Sequence, residues 1–595
     1  MKQIKSVILT LLVIVLITTG GFFSSCKDYL AQPPSATLPI DTVFSNITNA
    51  EKVLATAYAL MPYGFPAVQQ GAWSYALQIY FSPVSNISDE SENAWPSAFH
   101  NAYYNNGQLD ATTIYPFLED KWLFNFEAIR SAYLFIENVD KIPEPRPAQA
   151  YINRLKGEAR AIIGIKYFEM FKRYGGMPWM NKVYSPNDKV DFSRLTVAQT
   201  VDSIAAVLDK AAIDLPVRFV GADFGRVNKV TVLGVKARLY LYAASPLFNT
   251  GETYYSFGKP QIICYGSADP TRWKKAADAC KAAIDLAESN GYKLVNTGKP
   301  DVDYTTAVKA FPPINTEIIQ GTRNEKSLYD AQGDGRNLPY SKKNFAVVNG
   351  TPCIMPLQNA VDMYEKVDGT PTTPDYFSQP DPYAKGKLDP RFYQSILYHG
   401  SMWDIYTMDM SQSLAGAATG DNNGRTAGQF FTGYYCLKFQ FPDWFRIKGA
   451  TPASFWPYLR LSDLYLMYAE ALNEIEPANS DIKKYINLIR SRAGIALLPV
   501  VAADNTQDGM RSRIRNERAV ELMFEGHRYF DLKRWKLGSM IGAPVYGMNT
   551  VKNGAVTTFE RFKFEDRVFP ATMYLYPIPL DDVLKSPGLL QNPGY

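Results

Sequence analysis

Apolar positions recur at steps of three and four along much of the chain, and this spacing predicts helices. The clearest stretch is RLKGEARAIIGIKYFEMFKRYGGMP, from Arg154. Ala159, Ile163, Tyr167, Met170 and Tyr174 fall on one stripe, and Leu155, Ile162, Ile165 and Phe168 on a second. A helix apolar on two sides sits between layers. Gly175 and Gly176 suit a C-cap, and Pro178 stands where a helix should stop. A return helix is expected over 196–214, stopped by Pro216. The pattern recurs over 229–244, with Val232, Val235, Leu239 and Tyr242 on one stripe, and its partner spans 271–290, closed by Gly291. Earlier helices are expected over 46–61, ended by Pro62, and over 118–139, ended before Pro143. Late in the chain, Leu461, Leu464, Tyr465, Tyr468, Ala471 and Leu472 mark a helix, and 482–492 and 510–524 follow. The expected fold is mainly α: tetratricopeptide-like helix pairs in a superhelical scaffold, spaced too irregularly for a clean repeat array.

The stretch 296–455 breaks the pattern. It is rich in Gly, Asn, Asp, Pro and Thr, with short apolar patches at 317–320 and 434–439. It reads as loops and short strands laid on the helical scaffold of 40–295 and 456–540. Long loops in a compact protein usually carry function. The segment 72–115 has the same character.

At the start, Lys2 and Lys5 precede an apolar run, then small residues and Cys26. This reads as a secretory leader over 1–25, with cleavage before Cys26 and acylation of its thiol. An uncleaved membrane anchor is the alternative, and the strongly apolar part is short for one. Two or more acyl chains would tether the body 26–595 stably to a membrane surface.

A net charge of +4 over 595 residues, with no basic tract, argues against a nucleic-acid partner. Cys264, Cys280, Cys353 and Cys436 form no tight pair, so buried free thiols are expected. His100, His399 and His527 lie far apart and supply neither a His-rich metal site nor a Ser-His-Asp triad well. In ERAVELMFEGHRYFDLKRW, the acids Glu517, Glu521, Glu525 and Asp531 mix with Arg518 and Arg528 at helical offsets. Salt bridges between helices are the expectation there, rather than a general-acid pair. Asp89, Glu90 and Glu92 invite a calcium reading, as does DNNG at Asp421, but neither has the glycine and alternating acids of a defined calcium loop. No cofactor is expected, and calcium is the one ion left open.

Several long blocks, in order, resemble the SusD/RagB family of surface lipoproteins from nutrient-uptake loci of Bacteroidota. They include GEARAIIGIKYFEMFKRYGGMP from Gly157, RVNKVTVLGVKARLYLYAASPLF from Arg226, NTEIIQG from Asn315, and DPRFYQSILYHG from Asp389. YLRLSDLYLMYAEALNE from Tyr458, IRNERAVELMFEGHRYFDLKRW from Ile514 and the terminal QNPGY complete the set. The resemblance implies four tetratricopeptide-like helix pairs and a loop-rich ligand-facing region. It also implies a non-catalytic role at the outer membrane: glycan is bound at the cell surface and delivered to a SusC-like TonB-dependent transporter. Oligopeptide capture, which one branch of the family performs, is the nearest alternative, and a surface glycoside hydrolase is a more distant one.

With 39 Tyr, 33 Phe and 9 Trp, the loops hold more rings than polar segments ordinarily expose. A sugar ring needs a flat apolar partner for its C–H face and polar partners for its hydroxyl rim. NISDESENAWPSAFHNAYYNNGQLD supplies both: Trp95, Tyr103 and Tyr104 as faces, Asn101, Asn105 and Asn106 as edges. Trp95 is the leading platform and Trp73 its nearby rival. A second arm is expected from Tyr254 and Tyr255, with Phe257, Tyr265, Trp403, Tyr406, Trp444 and Phe445 as further candidates.

Overall fold

A computed structural model describes residues 39–64, 83–93, 101–114, 122–185, 187–219, 221–310, 315–324, 354–403, 406–413, 431–439 and 454–595. Several of its helices begin where a side chain takes up an otherwise unpaired N–H group. Helix α1 (Ile47–Ala59) starts at Asn46, whose side chain accepts from the Asn49 N–H at 2.9 Å. Helices α2 (Trp122–Asn138) and α3 (Gln149–Tyr174) follow. Thr196 and Gln199 form a capping box at the head of α4 (Val197–Asp214). Asn228 caps α5 (Lys229–Ala244) by accepting from Thr231 N at 3.0 Å. Helix α6 (Thr271–Ser289) completes the first half. The second half brings α7 (Pro300–Lys309), α8 (Leu461–Ile475), α9 (Asp481–Ala493), α10 (Gln507–Glu521) and α11 (Arg528–Arg534).

From α1 to α6 each helix packs on the next, and α8 then packs on α6 and carries α9 and α10. The mainly α fold is as the periodicity predicts. Three departures have physical causes. Helix α3 begins at Gln149, because buried Ile152 extends the Leu155–Ala159 stripe by one turn. Helix α10 stops at Glu521 instead of Phe524, since Phe524 turns left-handed (φ 62°) and its N–H is captured by a Glu90 carboxylate oxygen at 3.1 Å. Helix α7 lies in a stretch read as irregular; Pro300 at its first position and Asp303, which accepts from Thr297 N and Lys299 N, start it.

Strands are few and short. Strand β1 (Ile318–Asn324) pairs antiparallel with β2 (Ser454–Arg460). Near the C-terminus β3 (Val545–Asn553) and β4 (Val556–Glu565) form a hairpin around Gly554. The Asn553-Gly554 pair is a hairpin signal that the reading for helices passed over. The loop-rich part has its own core, built on buried Tyr364, Phe377, Tyr383, Phe392, Tyr434 and Phe559.

A buried lattice of charges joins this part to the helical stack. Glu517 accepts from Arg391 at 2.7 Å and Arg490 at 2.9 Å. Glu521, one turn on, faces Arg391, Arg460 and Arg492 together. Glu317, just before β1, takes the same Arg460 at 2.6 Å and Arg492 at 3.0 Å. Glu525 takes Lys438 at 2.8 Å and Arg460 at 2.7 Å. All of these side chains are buried. At the end of α9, Gly494 takes φ 72°, and a methyl there would come within 2.6 Å of Pro300, so the Arg490–Arg492 turn abuts the start of α7.

The surrounding guanidiniums hold Glu521 far below the usual carboxylate range against the opposing effect of burial. Glu517 and Glu525 are also held low. Such groups stabilise the fold above the unfolded carboxylate pKa and lose that contribution as pH falls through the folded value. Glu521→Ala strands three arginines without their shared partner, and about 3–5 kcal/mol of stability should go, measured by denaturant unfolding at neutral pH. The exposed change Asp278→Asn should leave the midpoint in place.

Candidate functional site

The acids Asp89, Glu90 and Glu92 follow a one-turn 3-10 helix, Val84–Ile87, and each has a protein partner. Asp89 accepts from Arg528 Nε at 2.9 Å and Nη2 at 2.8 Å. Glu90 receives the Phe524 N–H. Glu92 accepts from Arg567 Nη2 at 2.6 Å, Asn105 Nδ2 at 2.8 Å and Asn93 N at 2.7 Å. The triplet therefore serves as a set of acceptors for arginines and backbone, and the calcium reading of it is corrected: a cation would have to displace Arg528 or Arg567. Among the described residues no His, Cys, Asp and Glu cluster suits a metal ion. Asp421 lies outside them.

These contacts form a base. The Glu92–Asn105 bond ties together the two ends of the segment that carries Trp95 and Asn101. Asn105 Nδ2 also donates to Asn86 O at 3.1 Å, and Val568 N donates to Asn105 O at 2.8 Å. Arg567, which bonds the backbone oxygen of Ser88 as well, comes from 475 residues downstream of Glu92. Asn105, read from sequence as a polar edge for ligand, is a clamp instead. No local pattern could have singled out Arg567.

The expected rings separate into exposed and buried. Trp73 and Trp95 lie outside the described residues, as do Trp444 and Phe445. Asn101 opens the one-turn helix Asn101–Asn105. Tyr103 in that helix is 37 % exposed and Tyr255 is 43 % exposed. Tyr104 is 2 % exposed and packs edge-on against Tyr576, centroids 5.6 Å apart, so it belongs to the core and presents no face to a ligand. Trp403 is likewise buried at 2 %. Tyr254 is half-buried against Tyr574, 5.8 Å between centroids. Aromatic count in a polar stretch misled here because the loop-rich part needs rings for its own core.

Tyr103's segment and Tyr255 both border the C-terminal residues. A methyl on Gly594 would lie 3.4 Å from Tyr255 Cζ. Burial, and then the nearby Asp110 charge, push the Tyr595 hydroxyl well up. The terminal block is itself fixed: Asn592 Nδ2 donates to Tyr576 O at 2.7 Å and Tyr174 O at 3.2 Å, and Arg194 donates to Leu590 O at 2.9 Å.

The charged block around α10 holds its acids in ion pairs, as expected. Glu517, Glu521, Glu525 and Asp531 are all buried against arginines or lysine, so none stands ready as a general acid at an open surface. Cys264, Cys280 and Cys436 are buried free thiols, and burial pushes the Cys436 thiol up to about 11.

With this geometry in hand, likeness to known proteins can be weighed. Residues 316–595 match the family model described as SusD family. Residues 43–241 match the model described as starch-binding, associating with outer membrane. The chain belongs to the SusD/RagB family. SusD-like protein P38 of Formosa agariphila is 21 % identical over the full length of both chains. A SusD-like protein from Bacteroides fragilis shares the fold with TM-score 0.72 at 24 % identity, covering 94 % of this chain and all of its own. Surface glycan-binding protein A from Bacteroides fluxus does so with TM-score 0.57 at 19 % identity, covering 93 % and 100 %. Among the described residues, no helix of this SusD/RagB member is long and apolar enough to cross a membrane.

Burial raises Glu90 to about 8, with Asp89 adding to the effect and the Phe524 N–H opposing it. Burial raises Glu92 to about 8 as well, so between the unfolded value near 4.5 and 8 each of these two acids keeps a proton that the unfolded chain has lost, and their contribution to stability falls as pH rises. Glu90→Gln should reduce the slope of that part of the stability–pH curve by Glu90's share, Glu92 keeping the rest, measured by thermal unfolding across the window.

Proposed function

We propose that this SusD/RagB member is a non-catalytic binding protein that captures glycan at the cell surface and passes it to a SusC-like TonB-dependent outer-membrane transporter. The observation that carries the reading is the clamped base. Glu92, Asn105 and Arg567 hold both ends of the Trp95 segment on a rigid helical stack, next to the exposed ring of Tyr103. An exposed ring on clamped backbone, as Tyr103 is, loses less entropy when it stacks on a sugar. The family description of starch binding and the glycan-binding name of the Bacteroides fluxus neighbour support carbohydrate as the ligand class. Ion pairing throughout the acidic block supports binding without catalysis. Acylation at Cys26 would supply the surface tether.

In this reading Trp95 is the principal platform, with Trp73, Asn101, Tyr103 and Tyr255 as further contacts. Trp95→Ala should weaken glycan binding about tenfold, or about 1.4 kcal/mol, in calorimetry against a glycan panel, with the unfolding midpoint unchanged. A peptide pool titrated in parallel separates the nearest alternative: heat from peptide and none from glycan would overturn the ligand class. Cys26→Ala should move the protein from the membrane fraction to the soluble fraction, and retention in the membrane would disprove the lipid tether.

A further inference from the structure

A cleft of about 370 Å3 opens within the helical stack, lined by Pro246, Trp273 of α6, residues of α8 and α10, and Trp535. None of the loop residues assigned above lines it. Its charges can be followed one by one. Glu474 is gripped by Arg511 through two bonds, Nε to Oε1 at 2.6 Å and Nη2 to Oε2 at 2.8 Å. Glu470 accepts from Trp535 Nε1 at 2.7 Å and from Arg534 Nη2 at 2.7 Å. Both carboxylates are thereby occupied.

Arg515 is left over. Among the described residues it makes no ion pair and no hydrogen bond. Its guanidinium carbon rests over the Trp535 ring at 4.9 Å, and its Nε is shut away from solvent with no acceptor. Burial lowers its pKa; Glu470 and Glu474 offset this, and Arg534 and Arg511 add to it. An anion placed beside it would relieve that repulsion.

Asn473 supplies a complementary signal. It is fully buried, and its Nδ2 donates to Gln507 O at 3.1 Å, which orients the amide. The oxygen Oδ1 is then left with no donor. A buried acceptor without a donor is costly and uncommon in a folded protein. Trp273, half-buried on the wall, offers an apolar surface.

We propose that this cleft is a second ligand site, selective for an acidic saccharide unit. The sugar's carboxylate or sulfate pairs with Arg515, a hydroxyl donates to Asn473 Oδ1, and the ring packs on Trp273. The saccharide part of this assignment rests on the glycan reading above, while the anionic part rests on Arg515.

The test uses the full chain, followed by intrinsic tryptophan fluorescence and by calorimetry. The probes are glucuronic acid, glucose 6-sulfate, glucose and acetate. One or both acidic sugars should bind, glucose at least tenfold more weakly, and the affinity should fall as salt rises. The difference between the two acidic sugars says which anionic group is preferred. Arg515→Gln should reduce acidic-sugar binding at least tenfold; it removes no intramolecular ion pair and only the contact with the Trp535 ring, so the chain should still unfold cooperatively with a midpoint within a few degrees of the wild type. Trp273→Ala should reduce the fluorescence response, leaving the part due to Trp535 beneath Arg515. Equal binding of glucose and the acidic sugars, or unchanged binding in Arg515→Gln, would overturn the site. Acetate binding as tightly as the acidic sugars would retain an anion site and overturn its saccharide part. Trp95→Ala, run alongside, separates the two readings. Glycan binding that is lost in Trp95→Ala and untouched in Arg515→Gln refutes the cleft alone. If no saccharide binds the wild type, both readings fail.

Discussion

The structure depends on a carboxylate shared by three arginines. Glu521 sits at the end of α10 with Arg391 from the loop-rich part, Arg460 from the end of β2 and Arg492 from α9. Charges without water are tolerated only when each finds close counter-charges and its remaining bonds are filled. Glu317, Glu517 and Glu525 extend the same arrangement until the lattice reaches the loop-rich part, two helices and the β1–β2 pair. A hydrophobic interface could slide by a residue without great cost. An interlocked set of guanidinium forks cannot, because their directions are fixed. The lattice therefore sets the register in which the irregular part of the chain sits on the regular one.

That register matters at the loop face. Glu90 catches the N–H of Phe524, and Asp89 grips Arg528, both a few residues beyond Glu521. The segment that begins with these acids is thus referenced to the lattice through a short stretch of backbone. Arg567 then closes it from the other side, and the hairpin β3–β4 brings Arg567 there. Tyr104, buried under the same segment, stacks through Tyr576 toward Tyr174 at the end of α3. The backbone on either side of residues 94–100 is thus anchored to α11 and to the end of the hairpin, hundreds of residues away in sequence.

This explains what could be read from sequence. Helices α4, α5 and α6 were legible to within a residue, since their stripes and caps are local: Thr196, Asn228 and Gly291 do their work within a few positions. The fold class followed from the same periodicity. The end of α10 was not legible, because what stops it is Glu90, more than four hundred residues earlier. Asn105 looked like a ligand contact and proved a clamp, and Tyr104 looked like a platform and proved core. A residue type in a polar loop says which chemistry is available, while burial decides which chemistry is used. The family blocks fared better than single residues because long ordered matches integrate over many such accidents.

The lattice also gives meaning to the one cation on α10 that stands apart from it. Arg518 meets Asp463 and Asp531, and Arg511 meets Glu474 and Asp508. Arg513 meets Glu365 and Asp504. Arg515 stands among them on the same helix, half-buried in a cleft, with an indole beneath it and no ion pair of its own among the described residues, the nearby Glu470 and Glu474 being held by Arg534 and Arg511. In a protein whose surface charges were paired at random, an unmatched arginine would carry no message. Here the chain supplies a partner to its neighbours on both sides, and beside Arg515 it leaves an oriented amide oxygen also lacking a donor. An unmatched cation and an unmatched acceptor lining one cleft are complementary to a molecule with a negative charge and a hydroxyl.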